Sequence, residues 1–167
     1  MALPTECSVT SRAVFSVIGL LVGVSVFVTF GFKYDNWNTS LWGLVSGLAA
    51  SISIYVHTAY LRQAFQANPF VLQHFMLTGC LIQLVGCCGF VTYLVLAITK
   101  NQGLVIIGPG YYLTCVWCFM TWKWGFFLLI YARKYKRVYI SECEVLTEHA
   151  EPVVQQIAHE VYQGFGS

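Results

Sequence analysis

The sequence predicts an all-α, polytopic membrane protein of four transmembrane helices with both termini in the cytosol, and three observations carry that reading. First, the 167 residues are 57% hydrophobic and only 10% charged, with a mean hydropathy of +0.67. A soluble domain of this length needs far more charge to cover its surface. Second, four apolar runs, at about 13–32, 41–61, 75–99 and 111–131, have the length of roughly 20 residues that crosses a hydrocarbon core. Third, the basic residues are shared unequally between the two sides. Arg12, Arg62, Arg133, Lys134, Lys136 and Arg137 fall on the side of the termini, against Lys33 and Lys100 on the other. The positive-inside rule places the richer side in the cytosol.

This divides the chain into a cytosolic segment 1–12, a transmembrane domain 13–137 and an acidic cytosolic tail 138–167. The first apolar run has no convincing small-residue cleavage site and reads as a retained helix rather than a signal peptide. The first connection, residues 33–40, is polar and aromatic, as at a membrane interface, and its Asn38-Thr39-Ser40 is a glycosylation acceptor pattern that favours a lumenal or extracellular loop. Asn68-Pro69 predicts a turn between helices two and three. Gly103 and Gly108-Pro109-Gly110 end the third helix. In the tail, Val153, Ile157 and Val161 recur every four residues, which predicts a short amphipathic helix over 152–162, and the rest reads as mobile. No internal repeat is visible. The seven cysteines lie in apolar runs or in the presumed cytosolic tails, so no disulfide framework is implied.

The strongest anomaly is Lys123, set between Trp122 and Trp124 inside the fourth run. A charge at such depth costs about 3 kcal/mol on insertion scales, so the lysine either snorkels along its own stem or faces a partner, a wet cavity or an anionic ligand. It lies about 12 Å from the cytosolic end at ~1.5 Å per residue, a long reach for one side chain. In the second run, Ser46, Ser53, His57 and Tyr60 are spaced by seven, four and three, which puts them on one helix face. That face either hydrogen-bonds across a helix pair or supplies ligands: a neutral imidazole coordinates iron and other transition metals, and the Tyr60 phenol is an alternative iron ligand. Measured from the inner ends of their helices, Lys123 and His57 are expected one turn apart in height, within reach of one ligand that has a metal and an acidic arm. Tyr112, Cys115 and Phe119 are expected on the Lys123 face.

Cys115-Val116-Trp117-Cys118 has the spacing of a redox dithiol, but a membrane dithiol oxidoreductase of the vitamin K epoxide reductase type also needs a shuttling cysteine pair in an outer loop, and there is none. As small packing residues the two cysteines need no such role. Tyr131-Ala132-Arg133-Lys134-Tyr135 follows the fourth run directly. It reads either as a stop-transfer anchor on anionic lipid or as a gate whose cations pair with carboxylates while its tyrosines stack on a flat ring. His74, His149 and His159 have no such context and read as interfacial or solvated.

Taken together, the segment from Phe90 to Thr99, Tyr111-Tyr112-Leu113, Val116-Trp117, Trp122-Lys123-Trp124 and the run from Tyr131 to Tyr135 resemble the haem-responsive gene family of small four-helix haem transporters. The match is strongest over 90–146, and His57 with Tyr60 extends it into helix two. The resemblance implies a permease, not an enzyme, that moves haem into the cytosol across the plasma membrane or out of endosomes and lysosomes. Haem is then the transported substrate, with no permanent cofactor. The implied partners are haem, the lipid bilayer, further copies of the chain and sorting adaptors on the tail, without nucleic acid. By position His57 matches the helix-two haem residue of the family, residues 131–135 its aromatic-basic motif, and Lys123 a lysine between aromatics. In the second outer loop relatives often place a histidine where this chain has Lys100-Asn101-Gln102, and Tyr111 and Tyr112 are the substitutes.

Haem is flat, apolar and anionic through two propionates, so transport requires an apolar slot, an exchangeable iron ligand and cations along the exit. The expected route is capture at Tyr111 and Tyr112, transfer to His57 beside Tyr60, a propionate held by Lys123, and release past Tyr131, Arg133, Lys134 and Tyr135. The competing class is a non-transporting four-helix scaffold or adaptor, in which Lys123 and His57 only join helices. For sorting, Tyr135-Lys136-Arg137-Val138 and Tyr162-Gln163-Gly164-Phe165 fit tyrosine-based endocytic patterns, and 142–146 is an incomplete acidic-leucine pattern.

Overall fold

A computed structural model of the chain describes residues 6–165, with side chains for all of these except Glu6, His149, Val153, Val154 and residues 156–165. Helix α1 (Glu6–Val28) runs on through a π turn (Thr29–Lys33), followed by α2 (Trp37–Leu61), α3 (Val71–Thr99) and α4 (Tyr111–Phe165). The described residues contain no strand. Each helix is long and apolar enough to cross a membrane. In the most apolar window of each, half of α2 is buried inside the protein against 11% of α1 and 17% of α3. Thus α2 and α4 form the centre, α1 packs on α2, α3 packs on α4, and the outer helices leave broad apolar faces for lipid.

Hydrophobic collapse cannot hold helices together in lipid, so close backbone approach does. A Cβ on Gly23 of α1 would lie 2.7 Å from the Cα of Gly47 on α2. On the other side, a Cβ on Gly86 of α3 would lie 2.7 Å from the Trp122 backbone nitrogen of α4. The predicted polar face of α2 turns inward as its spacing requires: Ser46, Ser53 and His57 are all buried.

The boundaries depart from the sequence reading where a cap or a missing breaker decides them. The first connection shrinks to residues 34–36, because the π turn carries α1 to Lys33 and the Asn36 side chain accepts a hydrogen bond from the Thr39 N–H at 3.2 Å, starting α2. The Asn38-Thr39-Ser40 pattern therefore lies in the first turn of α2, not in a loop. Ser40 is fully buried with its hydroxyl donated to the Phe27 carbonyl, and Asn38 Oδ1 accepts from the Tyr93 hydroxyl, so the folded state does not present this pattern for glycosylation. At the far end α4 does not stop near Tyr131. The residues beyond it are good helix formers, and the helix continues through Pro152. The tail is therefore helical to Phe165, and the side chains of Val153, Ile157 and Val161 lie outside the described residues.

Candidate functional site

Where the last turns of α2 meet α4, an aromatic cluster closes around His57. The tyrosines Tyr131, Tyr135 and Tyr139 recur every fourth residue of α4, so they share one face. The His57 Nδ1 and the Tyr135 hydroxyl are 2.8 Å apart, and both side chains are buried. Tyr131 stands edge-on to the imidazole at 5.0 Å between ring centroids. Tyr60 stacks on Tyr135 at 4.0 Å and 13°, and Tyr139 closes the far side of Tyr60 at 5.6 Å. Val9, Val56, Leu128 and Ala132 complete the apolar walls. The predicted His57–Tyr60 pair and the tyrosines of the 131–135 motif are thus one site.

The sequence reading missed two of its members. Tyr139 was legible as the third step of the tyrosine repeat. Arg12 was counted only as a topology charge, yet its guanidinium carbon lies 4.7 Å from the centroid of the Tyr131 ring. Nothing local marks it, because α1 reaches α4 only through the fold.

Lys123 belongs to the same α1–α4 seam at a different depth. Its ammonium sits 5.4 Å from the Phe15 ring of α1 and 5.0 Å from that of Trp124, so it is half-buried among aromatics rather than stretched to the interface. The expected one-turn separation from His57 is corrected. The imidazole sits level with Tyr131 and Tyr135, eight and twelve residues beyond Lys123, or about 12–18 Å along the axis. The estimate from helix ends failed because α4 passes the end of α2 without stopping. The expected stripe also divides. Cys115 is buried against the Phe90 carbonyl of α3, and Phe119 is exposed and stacks on Trp122, while Lys123 faces α1.

At the opposite end, about 30 Å along α4 from Tyr131, the Lys100 ammonium donates to the Tyr111 hydroxyl at 3.0 Å. The Tyr111 N–H donates to the Gln102 side chain at 3.0 Å, and its ring leans on Tyr93 at 6.2 Å. Tyr112 is half-buried beside it. These residues are far from His57.

Arg133 and Lys134 do not join the tyrosines. With Arg137, Gln63, Gln66 and Leu146 they line a groove of about 1210 Å³ on another side of α4. The 131–135 motif thus has two faces, its phenols inside on His57 and its cations outside on the groove. Burial of Tyr135 also removes the first tyrosine-based sorting pattern from the surface of this state, while the second, at 162–165, has side chains outside the described residues. Cys115 and Cys118 are buried, unpaired thiols. His74 is exposed, as expected, and the side chains of His149 and His159 are outside the described set. No group of three or more His, Cys, Asp or Glu side chains is placed to hold a bare metal ion among the described residues.

The profile of a family described as "Haem-transporter, endosomal/lysosomal, haem-responsive gene" matches residues 72–124. Two curated relatives from Caenorhabditis elegans match most of the chain. "Heme transporter hrg-1" is 27% identical over 139 residues, covering 81% of this chain and 71% of the relative. "Heme transporter hrg-4" is 23% identical over 152 residues, covering 77% and 81%. No solved structure matches. The profile spans α3 and about the first quarter of α4, and the relatives extend the similarity across the bundle of four spanning helices: the chain is similar to the haem-responsive gene family of haem transporters.

Proposed function

We propose that this protein is a haem permease in which His57 is the exchangeable iron ligand and haem moves from the Tyr111 end of the bundle to the Arg133 end. The observation that carries this reading is the buried contact between His57 Nδ1 and the Tyr135 hydroxyl, walled by Tyr60 and Tyr131. A histidine that binds metal through one ring nitrogen is ordinarily held by a hydrogen bond from the other. With its proton on Nδ1, His57 donates to Tyr135 and keeps a lone pair on Nε2 for iron. The flat tyrosine faces match a porphyrin plane.

The present arrangement is closed, with His57 only 2% exposed. Admission of haem requires the Tyr131 side of the α1–α4 seam to open. Transport then follows the spacing of the groups. Tyr111, polarised by Lys100, takes haem first, with Tyr112 beside it. Lys123, between Tyr111 and Tyr131 on α4, offsets a propionate during passage. Tyr60 offers a second phenolate ligand near His57. Arg133 and Lys134 draw the propionates out into the groove. One strong ligand at a time keeps haem moving, whereas two permanent ones would hold it as a prosthetic group.

Cytosolic termini, movement towards the cytosol, self-association and recognition of the tail by sorting adaptors complete the proposal. The asymmetry of basic residues supports the cytosolic termini, and the endosomal and lysosomal description of the matching family supports movement towards the cytosol. The test is haem uptake by proteoliposomes containing wild-type protein, His57→Ala or Lys123→Gln at matched reconstitution. Transport predicts saturable uptake that His57→Ala reduces at least tenfold and Lys123→Gln slows. Equal uptake by all three and by empty vesicles would return the chain to the scaffold reading.

A further inference from the structure

We infer that Arg12 of α1 is a propionate-binding residue of the His57 site, selecting the carboxylate arm of haem while His57 takes the iron. The inference rests on the haem-site reading above and adds to it a residue that neither spacing nor resemblance singled out. Three observations converge on it. The first turns of α1 are packed into the bundle rather than left at its edge: Val9 and Ser16 are buried, and the Ser16 hydroxyl donates to the Arg12 carbonyl at 3.0 Å, fixing the helix at that turn. The guanidinium lies over Tyr131, whose ring stands against His57. Arg12 Nη1 is sealed from solvent and has no hydrogen-bond partner among the described residues.

The guanidinium also has a hydrogen bond with the Tyr135 side chain, but a buried nitrogen left without an acceptor is costly to keep, because Nη1 has lost water without a directed partner. Stacking on Tyr131 stabilises the face of the guanidinium but leaves the N–H group of Nη1 unanswered, since a ring face accepts charge and not a directed bond. The acceptor that suits it best is anionic, planar at its oxygens and brought from outside the chain. A carboxylate has that geometry, and the guanidinium fork matches it. Haem presents two such groups. Lys123 and Arg12 supply two cations on the one seam between α1 and α4, the first against Phe15 and the second against Tyr131.

The probes are haem and haem dimethyl ester, titrated into the purified full chain in detergent and followed by absorption. Esterification removes both carboxylates and leaves the iron, so the two ligands separate Arg12 from His57. Arg12→Gln is expected to weaken haem binding about tenfold to a hundredfold, the range of one charge-assisted bond, and to leave ester binding unchanged. Arg12→Lys is expected to recover part of the haem affinity. His57→Ala is expected to weaken both ligands alike. Equal affinity of wild type and Arg12→Gln for haem would overturn the assignment while leaving the His57 site standing. Equal loss of haem and ester in Arg12→Gln would also overturn it, because that is the pattern of a merely structural arginine. If wild type shows no saturable haem binding, it is the haem-site reading itself that fails.

Discussion

Replacing Tyr135 with phenylalanine isolates the contact on which the site depends. The substitution keeps the ring that stacks on Tyr60 at 4.0 Å and removes only the hydroxyl 2.8 Å from His57 Nδ1. Because both side chains are buried, no water replaces the lost partner. An unsatisfied buried polar group costs about 1–3 kcal/mol. For a chain of this size that is a fall in Tm of about 2–12 °C, measured on haem-free protein in detergent. The same hydroxyl orients the imidazole for iron, and loss of such a supporting bond lowers metal affinity about tenfold to a hundredfold. The absorption titration with haem reads this second effect. Wild-type Tm together with wild-type haem affinity in Tyr135→Phe would refute the reasoning, because the hydroxyl would then support neither the fold nor the ligand.

Three further predictions follow from other parts of the bundle. Gly86→Ala drives a methyl group to 2.7 Å from the Trp122 backbone, a contact no rotamer relieves, and should cost about 1–3 kcal/mol, read as a lower Tm of the haem-free protein. Tyr111→Phe removes the acceptor of the Lys100 ammonium and should slow the initial rate of uptake at low haem while leaving the absorption spectrum of the saturated complex unchanged. The double replacement Cys115→Ala, Cys118→Ala should leave haem binding within about twofold of wild type, since both thiols are buried and unpaired; an uptake rate that collapses in this variant would favour dithiol chemistry.

The parts of this architecture carried by local pattern were legible in the sequence, and those carried by the meeting of distant segments were not. Four runs of spanning length gave four helices, because in lipid the backbone has no other way to satisfy itself. The seven-, four- and three-residue spacing that put Ser46, Ser53, His57 and Tyr60 on one face also predicted their burial, complete for the first three. Heights were less legible. Lys123 and His57 were matched by counting from helix ends, and α4 has no end where the hydropathy falls, only a change from lipid-facing to polar residues within one continuous helix. Asn36 shows the same limit on a smaller scale: its cap draws an acceptor pattern that reads as loop into the first turn of α2. Arg12 was the least legible of all. A single arginine ahead of an apolar run is a topology signal by composition, and only the packing of α1 across the α2–α4 pair turns it towards Tyr131.

The central claim is that helix two supplies the iron ligand. It is tested most directly by an absorption titration of the purified wild-type chain with haem beside His57→Ala. The account predicts a saturable shift of the main haem band in the wild type, and in His57→Ala a changed band position together with weaker binding. An identical band and an identical affinity in the two proteins would contradict it, and would place the iron on other ligands or leave haem merely dissolved among the apolar faces of the bundle.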